Sequence, residues 1–398
     1  MKKKYSTGFL IGAIVLAVIL TFNLTYVIVW HLFSDRINNL TQREAVFNTL
    51  PEISTYIDEY YVGEYDRSKL IDGASNGYVD ALGDAASYYL SREEAFSRLS
   101  PADSNYTGIG IVCSYDKKAG GILILDMYEG SSAQDEGLQV LDCITSVDGV
   151  PVTMDNYEST LEMIRGEEGT DVSLTVFRQM TGERFNCIVR RGAAVTATGL
   201  ENRMLSDDTG YIRLDNFDIG VSGQFRTAYD KLISKGMKKL VIDLRMNPGG
   251  YMDEMLAIAD MFLSDGECVY KLMDYSEEIE EFMATEDCES IPLALVINQY
   301  TSGSAEYFAA ALSENKNAAV AGQTSSGTAY AQSSIELSDG SILVLSTAQY
   351  LTPRDESLQD KGFTPEIEVS IDIDELYTEL TDREADDRQL EAALEALN

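Results

Sequence analysis

Two apolar runs do most to limit what this sequence can fold into. Lys239–Arg245 (KLVIDLR) and Pro292–Asn298 (PLALVIN) carry the consecutive aliphatic residues expected of strands buried on both faces. The first run ends in the turn Met246-Asn247-Pro248-Gly249-Gly250, the second in a short polar turn. Helical stretches follow each, Met252–Leu263 and Ala305–Glu314. Strand, turn and helix repeated in this order predict an α/β core over residues 193–372, with chemistry at the turns beyond the strand ends. The same core is expected to hold a strand at Gly210–Asp218 and an amphipathic helix at Gln224–Lys235.

The charge balance removes several function classes. Among 398 residues, 30 Lys+Arg face 66 Asp+Glu, a net charge of −36 that argues against a nucleic-acid-binding face. The one histidine, His31, ends an apolar segment. A Ser-His-Asp triad, a Cys-His dyad and a histidine zinc site are therefore not available to the folded part. The acidic runs Ser276–Glu281 and Thr381–Asp387 read as solvated surface without a calcium-loop pattern, and no metal or cofactor is expected. Cys113, Cys143 and Cys187 fall in apolar strand-like runs and read as small buried residues. Cys268 and Cys288 flank a hairpin-like stretch and could pair outside the cell.

Lys2, Lys3 and Lys4 precede a stretch free of charged residues from Tyr5 to Ser34. Its apolar centre, Gly8–Phe33, exceeds the roughly 20 residues that span a bilayer and lacks a small-x-small exit. Residues 1–34 are thus expected to be a cytoplasmic tip and a single-pass signal anchor in the cell membrane, with the bulk of the chain extracellular. A cleaved signal peptide is the competing reading. Residues 35–103 show helical spacing, as in Val46, Leu50, Ile53, Ile57 and Tyr60.

From Thr107 the period becomes strand-like, with runs Thr107–Lys117, Gly121–Glu129, Leu141–Val150, Asp171–Arg178 and Arg184–Arg190. Short helices at Ser131–Glu136 and Asn156–Arg165 interrupt them. A dinucleotide loop at Gly108-x-Gly110 is rejected, because Val112-Cys113 follows where a third glycine is needed. In this order residues 104–192 resemble a PDZ domain. The resemblance implies that Gly108-Ile109-Gly110-Ile111 receives a peptide's C-terminal carboxylate.

A wider resemblance covers residues 55–372. Tyr56–Val62, Ala81-Leu82-Gly83-Asp84, Ser87–Glu94, Gly210–Leu214, Leu240–Gly250, Pro292–Asn298, Leu337–Arg354 and Lys361–Pro365 carry it. Together they resemble the C-terminal processing peptidases, or tail-specific proteases, a family of Ser/Lys serine peptidases with an inserted PDZ domain. The fold class implied is α/β within an α+β multidomain chain: membrane anchor, N-terminal helical region, PDZ domain, protease-like core (193–372 with 55–103) and a C-terminal helix at 373–398. The family's mechanism uses a serine before a helix, a neutral lysine as base, a glutamine that orients the lysine, and a backbone oxyanion hole. The Gly249-Gly250 turn suits that hole, since glycine permits close backbone approach.

Carried over residue by residue, the resemblance breaks at the chemistry. Asn298, Thr301 and Glu306 match without a gap, which puts Gly303 at the nucleophile position. Thr328 falls at the base position, and Gln332, four residues on, matches the orienting glutamine. One reading is a pseudoprotease that binds peptide C-termini without cleaving them. The alternative is an active serine endopeptidase with Ser302 or Ser304 as a displaced nucleophile. That alternative needs a base; no lysine lies between Lys316 and Lys361, which leaves a carboxylate such as Glu306. The expected partners are peptide C-termini, the membrane through the anchor, and a second copy or an active relative. Asp243 and Arg245 read as a structural strand-end pair.

Overall fold

The computed structural model describes Thr21 and residues 48–84, 86–99, 107–128, 130–154, 156–193, 200–285, 288, 291–381 and 386–397. The expected membrane segment lies outside the described residues apart from Thr21; among those described, no helix is long and apolar enough to cross a membrane. The chain divides into two units, residues 1–70 and 71–398. In the first, residues 48–60 are helical, and the Asp58 carboxylate accepts from Tyr65 and from Arg67 (2.7 Å).

The second unit is built on a six-stranded sheet ordered Leu200–Met204, Thr209–Leu214, Lys239–Asp243, Leu293–Ile297, Ala319–Gly322, Ile367–Glu368. The first pair is antiparallel and the rest are parallel. The two apolar runs are its central strands, and Leu240, Val241, Ile242 and Leu293–Ile297 are buried because helices cover both faces. Val221–Ser234, Met252–Ala259 and Ser304–Glu314 pack on one face around Phe217, Phe225 and Phe308. On the other face, Arg388–Ala396 lays Leu390, Ala393 and Leu394 against Tyr211, Val241 and Val296.

The C-terminal stretch holds two helices, Ile373–Thr381 and Arg388–Ala396, where the pattern predicts one. The second starts because the Asp387 side chain accepts from the Leu390 N–H. The strand-end pair is buried as expected: Arg245 binds Asp243 (2.5 Å) and reaches Glu379 (3.1 Å) and Asp387 (2.7 Å), so it also fastens both C-terminal helices. Tyr211 donates to Asp243 as well.

A second sheet runs Tyr88–Leu90, Ile342–Leu351, Cys268–Asp274, Ile279–Met283, with Tyr330–Glu336 also paired to Ile342–Leu351. Residues 88–90 were expected to be helical. They form a strand because Leu90 and Tyr88 pack against Ile342 and Val344, which outweighs the helical pattern around them. Cys268 and Cys288 lie as free thiols at this hairpin, each half-buried. Of the three strand cysteines only Cys143 is buried; Cys113 and Cys187 are half-buried, Cys113 because its strand is a sheet edge.

Residues 107–193 carry their own antiparallel sheet, ordered Ile111–Asp116, Gly121–Met127, Asp142–Val147, Asp171–Arg178, Glu183–Arg190. Ile122, Ile124, Ile144, Val172 and Leu174 fill its core beside the helix Tyr157–Ile164. The opposite side of this sheet joins the α/β core through Val112, Leu123, Leu125, Leu141 and Cys143, which meet Met246, Ile371 and Leu376.

Candidate active site

Gly303 stands at the start of the Ser304–Glu314 helix with φ 53° and ψ −125°, a conformation costly for any residue with a side chain. The space is nevertheless open. A Cβ there would meet nothing nearer than the Pro248 carbonyl at 3.6 Å. Packing alone therefore does not dictate glycine at this position.

The facing turn is different. At Gly249 (φ +95°) a Cβ would lie 2.8 Å from the Ser302 carbonyl and 3.0 Å from the Ser304 nitrogen, so only glycine lets the two strand-end turns touch. The turns are also bonded: the Ser302 N–H donates to the Asn247 carbonyl (2.9 Å). Asn247, fully buried, donates to the Leu214 carbonyl (2.8 Å) and accepts from the Gly249 N–H (2.8 Å). The Gly249 N–H is therefore already engaged within its own turn. At Gly250 a Cβ would lie 2.5 Å from the Phe217 carbonyl.

Asn298 and Thr301 set the second turn. Asn298 accepts from the Met246 and Tyr300 N–H groups (3.2 and 3.1 Å), and Thr301 donates to the Leu244 carbonyl (2.8 Å). Glu306 then ties Gly303 to Thr328. Its fully buried carboxylate accepts from the N–H groups of Gly303 (2.9 Å), Gly327 (2.7 Å) and Thr328 (2.8 Å) and from the Ser325 hydroxyl (2.5 Å). Burial pushes this carboxyl up, and the four donors oppose the shift. None of the four is a Ser302 or Ser304 hydroxyl, so Glu306 is placed as a brace rather than as their base.

Ser302 and Ser304 part company here. The Ser302 hydroxyl faces that of Thr328 at 2.9 Å. Ser304 is 3 % exposed, and its buried hydroxyl has no hydrogen-bond partner among the described residues. Gln332 is exposed on its strand opposite Ser346, just past a register shift, and does not line the cleft.

Ser302 and Thr328 open into a cleft of about 830 Å³ whose other wall comes from Cys113, Ser114, Tyr115, Lys117, Met154 and Tyr157 of the inserted domain. Lys117 crosses it to Asp360, with Nζ 3.0 Å from Oδ1 in an exposed pair. Sequence reading missed Lys117 and Asp360, because nothing in the local pattern of Asp116-Lys117-Lys118 or Gln359-Asp360-Lys361 distinguishes a cleft charge from a surface one. Tyr115 and Tyr157 form an edge-on ring pair, centroids 5.6 Å apart, between the edge strand Ile111–Asp116 and the helix Tyr157–Ile164. At the head of that strand the Ile109 carbonyl accepts from Ala133 N–H (2.9 Å) and the Gly110 carbonyl from Tyr128 N–H (3.0 Å). A Cβ on Gly110 (φ +76°) would strike Ser131 Cβ at 2.5 Å, so this loop needs glycine. Ile111 then opens the edge strand.

Comparison with known proteins agrees with this architecture. Residues 208–369 match the model of peptidase family S41 and residues 123–178 that of the PDZ domain. The chain is 30 % identical over 330 residues to the carboxy-terminal processing protease CtpA of Bacillus subtilis (strain 168), covering 82 % of this chain and 70 % of that protein. It is 27 % identical over 374 residues to a probable CtpA-like serine protease of Staphylococcus aureus (strain MSSA476), covering 93 % and 73 % respectively. Its fold matches the photosystem II D1 C-terminal processing protease with a TM-score of 0.64 at 23 % identity, over 81 % of this chain and 87 % of that one. The chain therefore belongs to peptidase family S41, the C-terminal processing proteases, and carries the PDZ domain that its sequence led us to expect.

Proposed function

We propose that this chain is a membrane-anchored extracellular pseudoprotease that binds peptide C-termini through its PDZ domain and does not cleave them. The observation that carries the reading is the residue pair at the two reactive positions, Gly303 and Thr328, inside an otherwise closely braced site. Glycine has no nucleophile, and a threonine hydroxyl does not accept a proton at neutral pH. The Gly8–Phe33 run supports the anchor, and Lys2–Lys4 support a cytoplasmic N-terminus. The strand Ile111–Asp116, at the sheet edge among the described residues and headed by a glycine loop, supports β-addition of a peptide.

A displaced-nucleophile peptidase is the second reading, favoured by the exposure of the Ser302 hydroxyl to the cleft. Glu306, the carboxylate nearest in sequence, does not serve it as a base, because it is committed to four other donors. Binding of peptides with free and amidated C-termini, read beside digestion of an unfolded protein, tests the proposal. Preference for the free carboxylate without digestion is the expected result. Equal binding of both peptides removes carboxylate capture, and digestion removes the pseudoprotease reading.

A further inference from the structure

The groove of the inserted domain is bridged at both ends. Alternation along the edge strand Ile111–Asp116 sends Ile111, Cys113 and Tyr115 to the cluster that holds Leu161 and Ile164, whereas Val112 belongs to the cluster facing the core. Strand Ile111–Asp116 and helix Tyr157–Ile164 therefore flank a groove floored by aliphatic side chains. At its loop end the Thr107 hydroxyl donates to the Gly166 carbonyl, just beyond the helix. At its other end the Tyr115 and Tyr157 rings meet edge-on, centroids 5.6 Å apart and planes at 72°. Tyr157 is the first residue of the helix, and both rings line the cleft beside Met154.

The span between the two bridges sets a length. From Ile111 to Tyr115 the strand advances about 13 Å, at roughly 3.3 Å for each residue. An antiparallel peptide whose carboxylate sits at Gly108–Ile111 pairs its last residue with Ile111, its third from the end with Cys113 and its fifth with Tyr115. The side chains of these alternate peptide residues point toward the helix. The last and the third have the open groove before them; the fifth meets the ring pair.

We propose that the Tyr115–Tyr157 ring pair is an end stop, which restricts β-addition to about the last four residues of a peptide and turns the rest out into the cleft. Residues further from the carboxylate are then not read by this strand. The proposal rests on the reading that the groove captures peptide C-termini, and its test includes a readout that needs no peptide.

The test uses the full chain and two peptides with free carboxylates, four and nine residues long, that share a Ser-Ala-Ala-Val end. In the parent the two are expected to bind within twofold of each other. In Tyr157→Ala the longer peptide is expected to bind at least fivefold tighter than the shorter one, while Tyr157→Phe, which keeps the ring, behaves as the parent. Without peptide, Cys113 reports the same stop, because it lies two residues before Tyr115 on the groove side and lines the cleft. Its alkylation by iodoacetamide, mapped by mass spectrometry, is expected to speed at least tenfold in Tyr157→Ala and to stay within twofold in Tyr157→Phe. Cys143 and Cys187 of the same domain are expected to stay at the parent rate in both. A longer peptide that already binds at least fivefold tighter in the parent overturns the stop, and so does unchanged Cys113 labelling in Tyr157→Ala. An equal rise at Cys143 and Cys187 overturns it too, since the whole domain has then loosened. Equal binding of free and amidated peptides removes carboxylate capture alone, and the Cys113 rates then decide the stop.

Discussion

The hydroxyls of Ser302 and Thr328 lie 2.9 Å apart, each beside or at a position where this fold is expected to place a reacting group. The pair closes with a neutral hydrogen bond what would otherwise join a nucleophile to a base. A hydroxyl pair of this kind adds little charge stabilisation and supplies no strong proton acceptor.

Placing a serine at Gly303 alone is not expected to restore chemistry. Gly303→Ser has room for its Cβ, 3.6 Å from the Pro248 carbonyl, but must adopt φ 53°. It is predicted to fold with a loss of about 1–3 kcal/mol, the usual cost of such a backbone for a non-glycine residue. Thermal unfolding reads that loss, and a peptide-cleavage assay is predicted to stay at background because Thr328 offers no base.

Gly249→Ala tests the contact between the two strand-end turns. Its Cβ would sit 2.8 Å from the Ser302 carbonyl with backbone at φ +95°. The predicted loss exceeds about 2 kcal/mol in denaturant unfolding, larger than for an alanine at an open, positive-φ glycine such as Gly220.

Glu306→Gln replaces an acceptor of four hydrogen bonds with a group that turns an NH₂ toward some of the same donors. A loss of roughly 3 kcal/mol is expected from the donors left unpaired in a buried site. Hydrogen exchange at residues 325–328 should rise along with it, since Glu306 is what joins that loop to Gly303.

Arg245 holds Asp243, Glu379 and Asp387 in one buried group. Arg245→Met leaves those carboxylates uncompensated and is predicted to cost about 3–5 kcal/mol. The same group sets a pH dependence. Burial, and then the Asp387 charge, push the Glu379 carboxyl up to about 7, while Arg245 opposes them. The folded state then holds a proton that the unfolded state releases from about 4.5 upward, so this residue's share of stability falls as pH rises toward and through 7. Glu379→Gln should flatten that part of the melting-temperature profile between pH 5 and 8.

Much of this architecture was legible in residue order. Lys239–Asp243 and Leu293–Ile297 are central strands because runs of aliphatic residues are stable only between two covering layers. Gly303 was assigned from the spacing of Asn298, Thr301 and Glu306, and Thr328 from the stretch Gly322–Gln332; the Glu306 carboxylate joins the two, whereas Gln332 is exposed and does not line the cleft. What pattern could not supply was long-range. Tyr88–Leu90 is a strand only because Ile342–Val344 lies beside it. Lys117 and Asp360, 243 residues apart, meet only because the PDZ sheet closes over the core. Ser302 and Ser304 looked equivalent in sequence; Ser304 opens the helix and is buried, whereas Ser302, just before the Gly303 cap, lies at the cleft.

The central claim is that the site has lost its chemistry. Labelling of the purified chain with a serine-directed phosphonate, with the modified residue mapped and turnover of an unfolded substrate measured on the same sample, tests it most directly. No adduct at Ser302 or Ser304 and no turnover is the predicted result. An adduct at either serine accompanied by turnover would contradict the account.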